Sequence, residues 1–125
     1  MRVRLLFSLW LPVALYVGFI FWLSSAPRPI PGIRLFPWLD KGCHLAEYAP
    51  LGSLLTRALR RTFLRINWPA MGAIALALAL MVAGLDEFYQ SFVDTRISSA
   101  WDALFDLAGA AVGFALYRSK VARTP

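Results

Sequence analysis

The chain has 125 residues, 59% of them hydrophobic and only 16% charged, with a formal net charge of +6. That is far more apolar surface than one small soluble domain can bury, so a bilayer is its natural solvent. The single cysteine, Cys43, excludes an internal disulfide and any cysteine-rich metal framework, and is expected as a small packing residue.

Leu5 to Leu23 is apolar apart from Ser8, Pro12, Tyr16 and Gly18. At about 1.5 Å per residue it is long enough to cross a hydrocarbon layer of about 30 Å, and it reads as a transmembrane helix over roughly residues 5–24. The competing reading is a secretory signal peptide, with "MRVR" as its basic region and "SSA" as its cleavage site, although such apolar regions ordinarily run only about 7 to 15 residues. The connection that follows, Ser24 to Asp40, holds Pro27, Pro29, Pro31 and Pro37 and favours extended or polyproline backbone over helix. Its second half, "IRLFPWL", sets Phe36, Trp38 and Leu39 beside Arg34 and is expected to lie in the headgroup layer as an aromatic anchor.

A second helix is expected over about 41–59, "KGCHLAEYAPLGSLLTRAL", polar in its first two turns and apolar or small thereafter. After the short basic connection "RRTFLRIN", a third runs over 68–90, opening with Pro69 where a first helical turn tolerates proline. The loop "SFVDTRISS" offers Ser98 or Ser99 as a cap for a fourth helix over about 101–117, "WDALFDLAGAAVGFALY". All the connections are too short to fold separately, so residues 1–125 form one domain, an all-α bundle of four transmembrane helices.

Charge orients the bundle. Arg2 and Arg4 precede the first span, Arg57, Arg60, Arg61 and Arg65 surround the second connection, and Arg118, Lys120 and Arg123 follow the last, with no acid among them. Arg28, Arg34, Lys41 and Arg96 share the other half with all seven acids. By the positive-inside rule both termini and the second connection are cytoplasmic. The isoelectric point near 10.3 would suggest nucleic acid in a soluble chain; here the cations are topological signals, and no nucleic-acid partner is expected.

Ionisable side chains at membrane depth are costly, about 2.5 to 3.5 kcal/mol each at the helix centre, so each needs a reason. On the second helix Asp40, His44, Glu47, Tyr48 and Leu51 recur at spacings of three and four and share one face. On the fourth, Asp102, Asp106, Gly109 and Gly113 form a stripe acidic above and bare below, and the Gly109–Gly113 step lets another backbone approach closely, whether in this chain or in a packing partner. Asp86, Glu87 and Gln90 close the third helix at the same level. Three polar sets thus converge near the extracytoplasmic surface, with Lys41 and Arg96 as counter-charges.

Several chemistries fit this set. Pure scaffolding is one, although interhelical hydrogen bonds average only about 0.6 kcal/mol, so several would be needed. Oxygen-rich binding of a hard divalent cation is another, drawing on His44, Glu47, Glu87, Asp102 and Asp106, with Asp102, Asp106 and Glu47 as the central alternative. A nucleophilic triad has less support, because Ser98 and Ser99 look like loop and capping residues. For His44 alone, a hydrogen bond to Asp40 or Glu47 is expected.

Taken together, "DKGCHLAEYAPLG", "LDEFYQSFVDTR" and "WDALFDLAGAAVG", spanning residues 40 to 113, resemble the VanZ-like family of small bacterial membrane proteins. The resemblance carries the family's polar signature onto Asp40, Lys41, His44, Tyr48, Glu87, Gln90, Arg96 and Asp102. Two positions depart from it: Tyr89 where many relatives have His, and Asp106 where they have Asn. The lost imidazole weakens a transition-metal reading, while the extra carboxylate leaves cation or cationic-group binding open. The resemblance implies a multi-pass protein of the bacterial inner (cytoplasmic) membrane with a role at the outer face of the cell envelope, in a family named for a link to resistance against the glycopeptide antibiotic teicoplanin; it does not imply that this chain confers resistance.

Three functions follow. The first is binding of membrane lipids, a lipid headgroup or a lipid-linked cell-wall precursor in a polar extracytoplasmic pocket formed by Asp40, Lys41, His44, Glu47, Tyr48, Glu87, Gln90, Arg96, Asp102 and Asp106. The second is a metal-dependent hydrolase or transferase of a lipid-linked substrate, with His44, Glu47 or Glu87 as catalytic candidates. The third is a structural module assembling through Gly109 and Gly113. The sequence names no cofactor.

Overall fold

In a computed structural model that describes residues 2–25, 37–93 and 99–123, every regular element is an α-helix, and there is no strand among the described residues. Four helices follow one another: α1 (Arg2–Ser25), α2 (Pro37–Thr62), α3 (Trp68–Gln90) and α4 (Ala100–Ala122). α1, α3 and α4 contain stretches long and apolar enough to cross a membrane. α2 is diluted by its polar first turns and its terminal arginines, and is not among them.

The helix starts follow local chemistry. Asn67 sits in extended backbone and its side chain accepts a 2.9 Å hydrogen bond from the Ala70 amide, with Pro69 in the first turn where no amide donor is needed. Ser99 caps α4, its hydroxyl accepting from the Trp101 amide at 3.3 Å. α2 begins at Pro37, earlier than expected, so Pro37, Trp38 and Leu39 are helical rather than extended. A proline in the first turn loses no intrahelical bond, which makes it as good a start signal as a break. The rest of the proline-rich connection, including Arg28, Arg34 and Phe36, lies outside the described residues. α2 and α4 also run on to Thr62 and Ala122, past the expected ends at 59 and 117. Arg60, Arg61 and Lys120 in those last turns favour the negative ends of the helix dipoles.

Orientation follows from contacts. The Trp10 indole donates to the Thr62 hydroxyl at 3.1 Å and the Tyr16 hydroxyl donates to the Glu47 carbonyl at 2.9 Å, so α1 and α2 are antiparallel. Trp68, at the start of α3, meets Phe114 in the second half of α4 edge to face at 6.2 Å, while Glu87 near the end of α3 meets Ser99 at the start of α4, which makes that pair antiparallel too. α2 and α4 run side by side in the same direction, since Lys41 meets Asp102, His44 meets Asp106 and Ser53 meets Gly113 in step along both helices.

Their contact is unusually close because it is built from glycines. A Cβ at Gly109 would collide with the Leu45 carbonyl, one at Gly113 with the Ala49 carbonyl, and one at Gly52 with the Ala110 carbonyl. The Ser53 hydroxyl adds a 2.8 Å bond to the Gly113 carbonyl across the seam. The glycine face of α4 is thus covered by α2 of the same chain. α3 joins through small residues at every fourth position, Ala75, Ala79 and Ala83, all buried.

Large side chains point outward. Trp22, Leu85, Phe88 and Leu116 are each more than half exposed, the pattern of a bundle whose surroundings are apolar. Cys43 is exposed, contrary to the expectation of a packing residue. It follows Gly42, whose surroundings are also open, on the side of α2 turned away from α4.

Candidate functional site

The fold brings four helix ends together at one level: the C-terminal ends of α1 and α3 and the N-terminal ends of α2 and α4. At the opposite end the arginines collect. There the Trp68 ring takes the Arg60 guanidinium at 5.0 Å and that of Arg118 at 5.9 Å.

At the polar end the α2–α4 seam carries a chain of charged contacts. The Lys41 ammonium donates to Asp102 Oδ1 and lies 3.7 Å from Asp40 Oδ2. One turn deeper, His44 Nδ1 and Asp106 Oδ1 are 2.9 Å apart, and His44 Nε2 is 3.8 Å from Asp102 Oδ2. An ionised carboxylate only accepts, so opposite one Nδ1 carries the proton. His44, Asp102 and Asp106 are all buried, the last completely.

The expected partners of His44, Asp40 and Glu47, are replaced by Asp106. The glycine seam is the reason: with Gly109 pressed onto Leu45, the residue three positions before it on α4 falls directly against His44. Of the carboxylates suggested for a metal, Asp102, Asp106 and Glu47, Asp102 belongs to a close cluster of possible ligand atoms among the described residues, together with Asp40 and His44. The ligand atoms of those three lie within 4.8 Å of one another.

α3 supplies a second, linked set. Gln90 Nε2 donates to Asp86 Oδ2 at 2.7 Å and to the Ser24 hydroxyl of α1 at 3.1 Å. Glu87 Oε2 accepts from the Ser99 amide at 2.9 Å, tying the end of α3 to the cap of α4. Tyr48, one turn below His44, is buried and within electrostatic reach of Asp86, Glu87 and Asp106. Tyr48 OH, Glu87 Oε1 and Asp106 Oδ2 are buried without a hydrogen-bond partner among the described residues. Arg96, the second expected cation, lies outside the described residues.

Beside this network is a crevice of about 360 Å³, walled by Trp38, Trp101 and Phe105 with Lys41 at its edge. Its lining is apolar apart from Lys41, and the other described members of the polar network are not among the residues that line it. Sequence reasoning did not single out Ser24, Phe105 or Trp101 for the site. Their signal was position alone, at helix ends on the same level as the acids.

The VanZ/LLP1 family description matches residues 7–122, nearly the whole chain. The chain belongs to the VanZ/LLP1 family. The match runs from within α1 to the end of α4 and takes in every described member of the polar cluster. No curated protein and no solved structure matches this VanZ-family chain.

Proposed function

We propose that this VanZ-family protein is a four-span protein of the bacterial cytoplasmic membrane that binds the headgroup of an envelope lipid or lipid-linked wall precursor at its outer face. Both termini and the arginine-rich α2–α3 connection then lie on the cytoplasmic side, as the segregation of basic residues from acids favours. α2 supplies the fourth span. At about 1.5 Å per residue its 26 residues reach about 39 Å, and its buried His44 and Tyr48 face the bundle rather than lipid.

The observation that carries the headgroup reading is the position of Lys41. It is the charged residue at the edge of the aromatic crevice and also the outermost link of the Asp102–His44–Asp106 network. An amphiphile fits that arrangement, its apolar part against Trp38, Trp101 and Phe105 and its polar part exchanging contacts with Lys41 and the carboxylates behind it. Tryptophan at this level also suits the membrane–water boundary. Retention of a wall precursor there would connect the chain to glycopeptide susceptibility.

The test is lipid retention after mild detergent extraction, read by native mass spectrometry. Lys41→Gln, Trp101→Ala and Arg96→Ala should each retain roughly tenfold less polar lipid than wild type, equivalent to about 1.4 kcal/mol. Leu116→Ala, on the exposed surface of α4, should match wild type. Equal retention in all of these proteins would overturn the reading.

A further inference from the structure

Lys41 satisfies two of the three groups that meet at the mouth of the seam. Its ammonium is bonded to Asp102 and close to Asp40. The third group is His44, only 5% exposed, whose Nε2 makes no hydrogen bond among the described residues and points to within 3.8 Å of Asp102 Oδ2. A lysine ammonium offers protons but has no vacant orbital for a ring lone pair, and here it does not reach Nε2. A metal ion would engage all three.

The geometry behind the ring suits this. Nδ1 faces Asp106 at 2.9 Å, and opposite an ionised carboxylate a neutral imidazole carries its proton on Nδ1 and its lone pair on Nε2. A carboxylate holding the far nitrogen of an imidazole is the usual outer-shell support of a metal-bound histidine, fixing tautomer and ring angle together. Asp106 is fully buried and its other oxygen has no partner among the described residues, so nothing described competes for it. Two ligands of one ion, each about 2.1 Å from it, sit roughly 3 to 3.5 Å apart. The 3.8 Å between Nε2 and Oδ2 and the 4.8 Å span of the trio need only small side-chain rotations to close on an ion.

We propose that Asp40, His44 and Asp102 form a site for a divalent cation of the zinc–manganese class, with Asp106 orienting the imidazole from behind and the Lys41 ammonium holding the cation's place when no ion is bound. One imidazole with two carboxylates favours such borderline ions over Mg2+ or Ca2+, which take oxygen ligands. Three protein ligands leave coordination positions open for water or a further ligand. The site stands independently of the headgroup reading, because binding of the ion requires no lipid.

The test uses full-length protein in detergent, purified through a tag without histidines and carrying Cys43→Ser so that no thiol takes part. Co2+ is titrated and its visible d–d absorption recorded, with Zn2+ as competitor and Mg2+ in excess as control. Expected are a band at one equivalent of Co2+, its loss on adding Zn2+ and its persistence in Mg2+. His44→Gln should abolish it, Asp106→Asn should weaken binding 10- to 100-fold, and Lys41→Met should strengthen it by removing the resident cation. Circular dichroism and thermal unfolding establish that each variant is folded. Folded wild-type and Lys41→Met proteins that bind no Co2+, or a band that persists in folded His44→Gln, would overturn the proposal.

Discussion

At the scale of single residues, the polar cluster is uneven in how well its members are satisfied. The Gln90 amide is shared between Asp86 and Ser24, whereas the Tyr48 hydroxyl is buried with no partner among the described residues. A buried hydroxyl left unbonded carries its desolvation cost, about 1 to 3 kcal/mol, with no return. Tyr48→Phe should therefore raise stability by about 1 kcal/mol in thermal or denaturant unfolding. A loss of similar size would mean that the hydroxyl has a bound partner in the native protein. Which residues face inward was legible in the sequence: the three- and four-residue spacing that joins Asp40, His44 and Tyr48, and Asp102 and Asp106, is the spacing of a helix face. Who bonds to whom was not. His44 and Asp106 are 62 positions apart, and their pairing depends on the rotation and register of two helices, which spacing within either one does not contain.

At the scale of elements, the α2–α4 seam decides the site. Because the two helices are parallel, their N-terminal ends lie side by side, and Asp40 and Asp102 fall in the first turns. Carboxylates there gain about 0.3 to 1 kcal/mol each from the dipoles. The seam stands on Gly52, Gly109 and Gly113, where a Cβ would enter the facing backbone. Gly113→Ala should thus cost about 1 to 3 kcal/mol through overpacking. Gly84→Ala, where the space is open, should be neutral or stabilising by up to about 1 kcal/mol. Thermal unfolding in detergent compares the two, and equal effects would remove the seam's special status. The Gly109–Gly113 step was readable from the sequence as a close approach of some backbone. That this backbone is α2 of the same chain was not, because the motif specifies a bare surface and no partner. Helix ends were readable to within a few residues, and the misplaced start at Pro37 reflects the two meanings a proline has near a helix.

At the scale of the whole molecule, the described residues are electrically divided, their acids at one end and their arginines at the other, with a mostly apolar exterior between them. This division was legible because it rests on composition and order along the chain rather than on tertiary detail. It predicts that green fluorescent protein fused after the C-terminus fluoresces, and that alkaline phosphatase fused after Val93 is active. An active phosphatase at the C-terminus would invert the topology. The low hydropathy of α2 has a consequence for biogenesis. His44 meets Asp106 of a helix synthesised later, so if α2 is the fourth span, it would on emerging alone from the ribosome present buried polar groups such as His44 and Tyr48 to lipid before their cover exists. On the four-span reading, the burial of this helix then waits for the α4 residues that cover it, so its final seating follows the synthesis of the last helix.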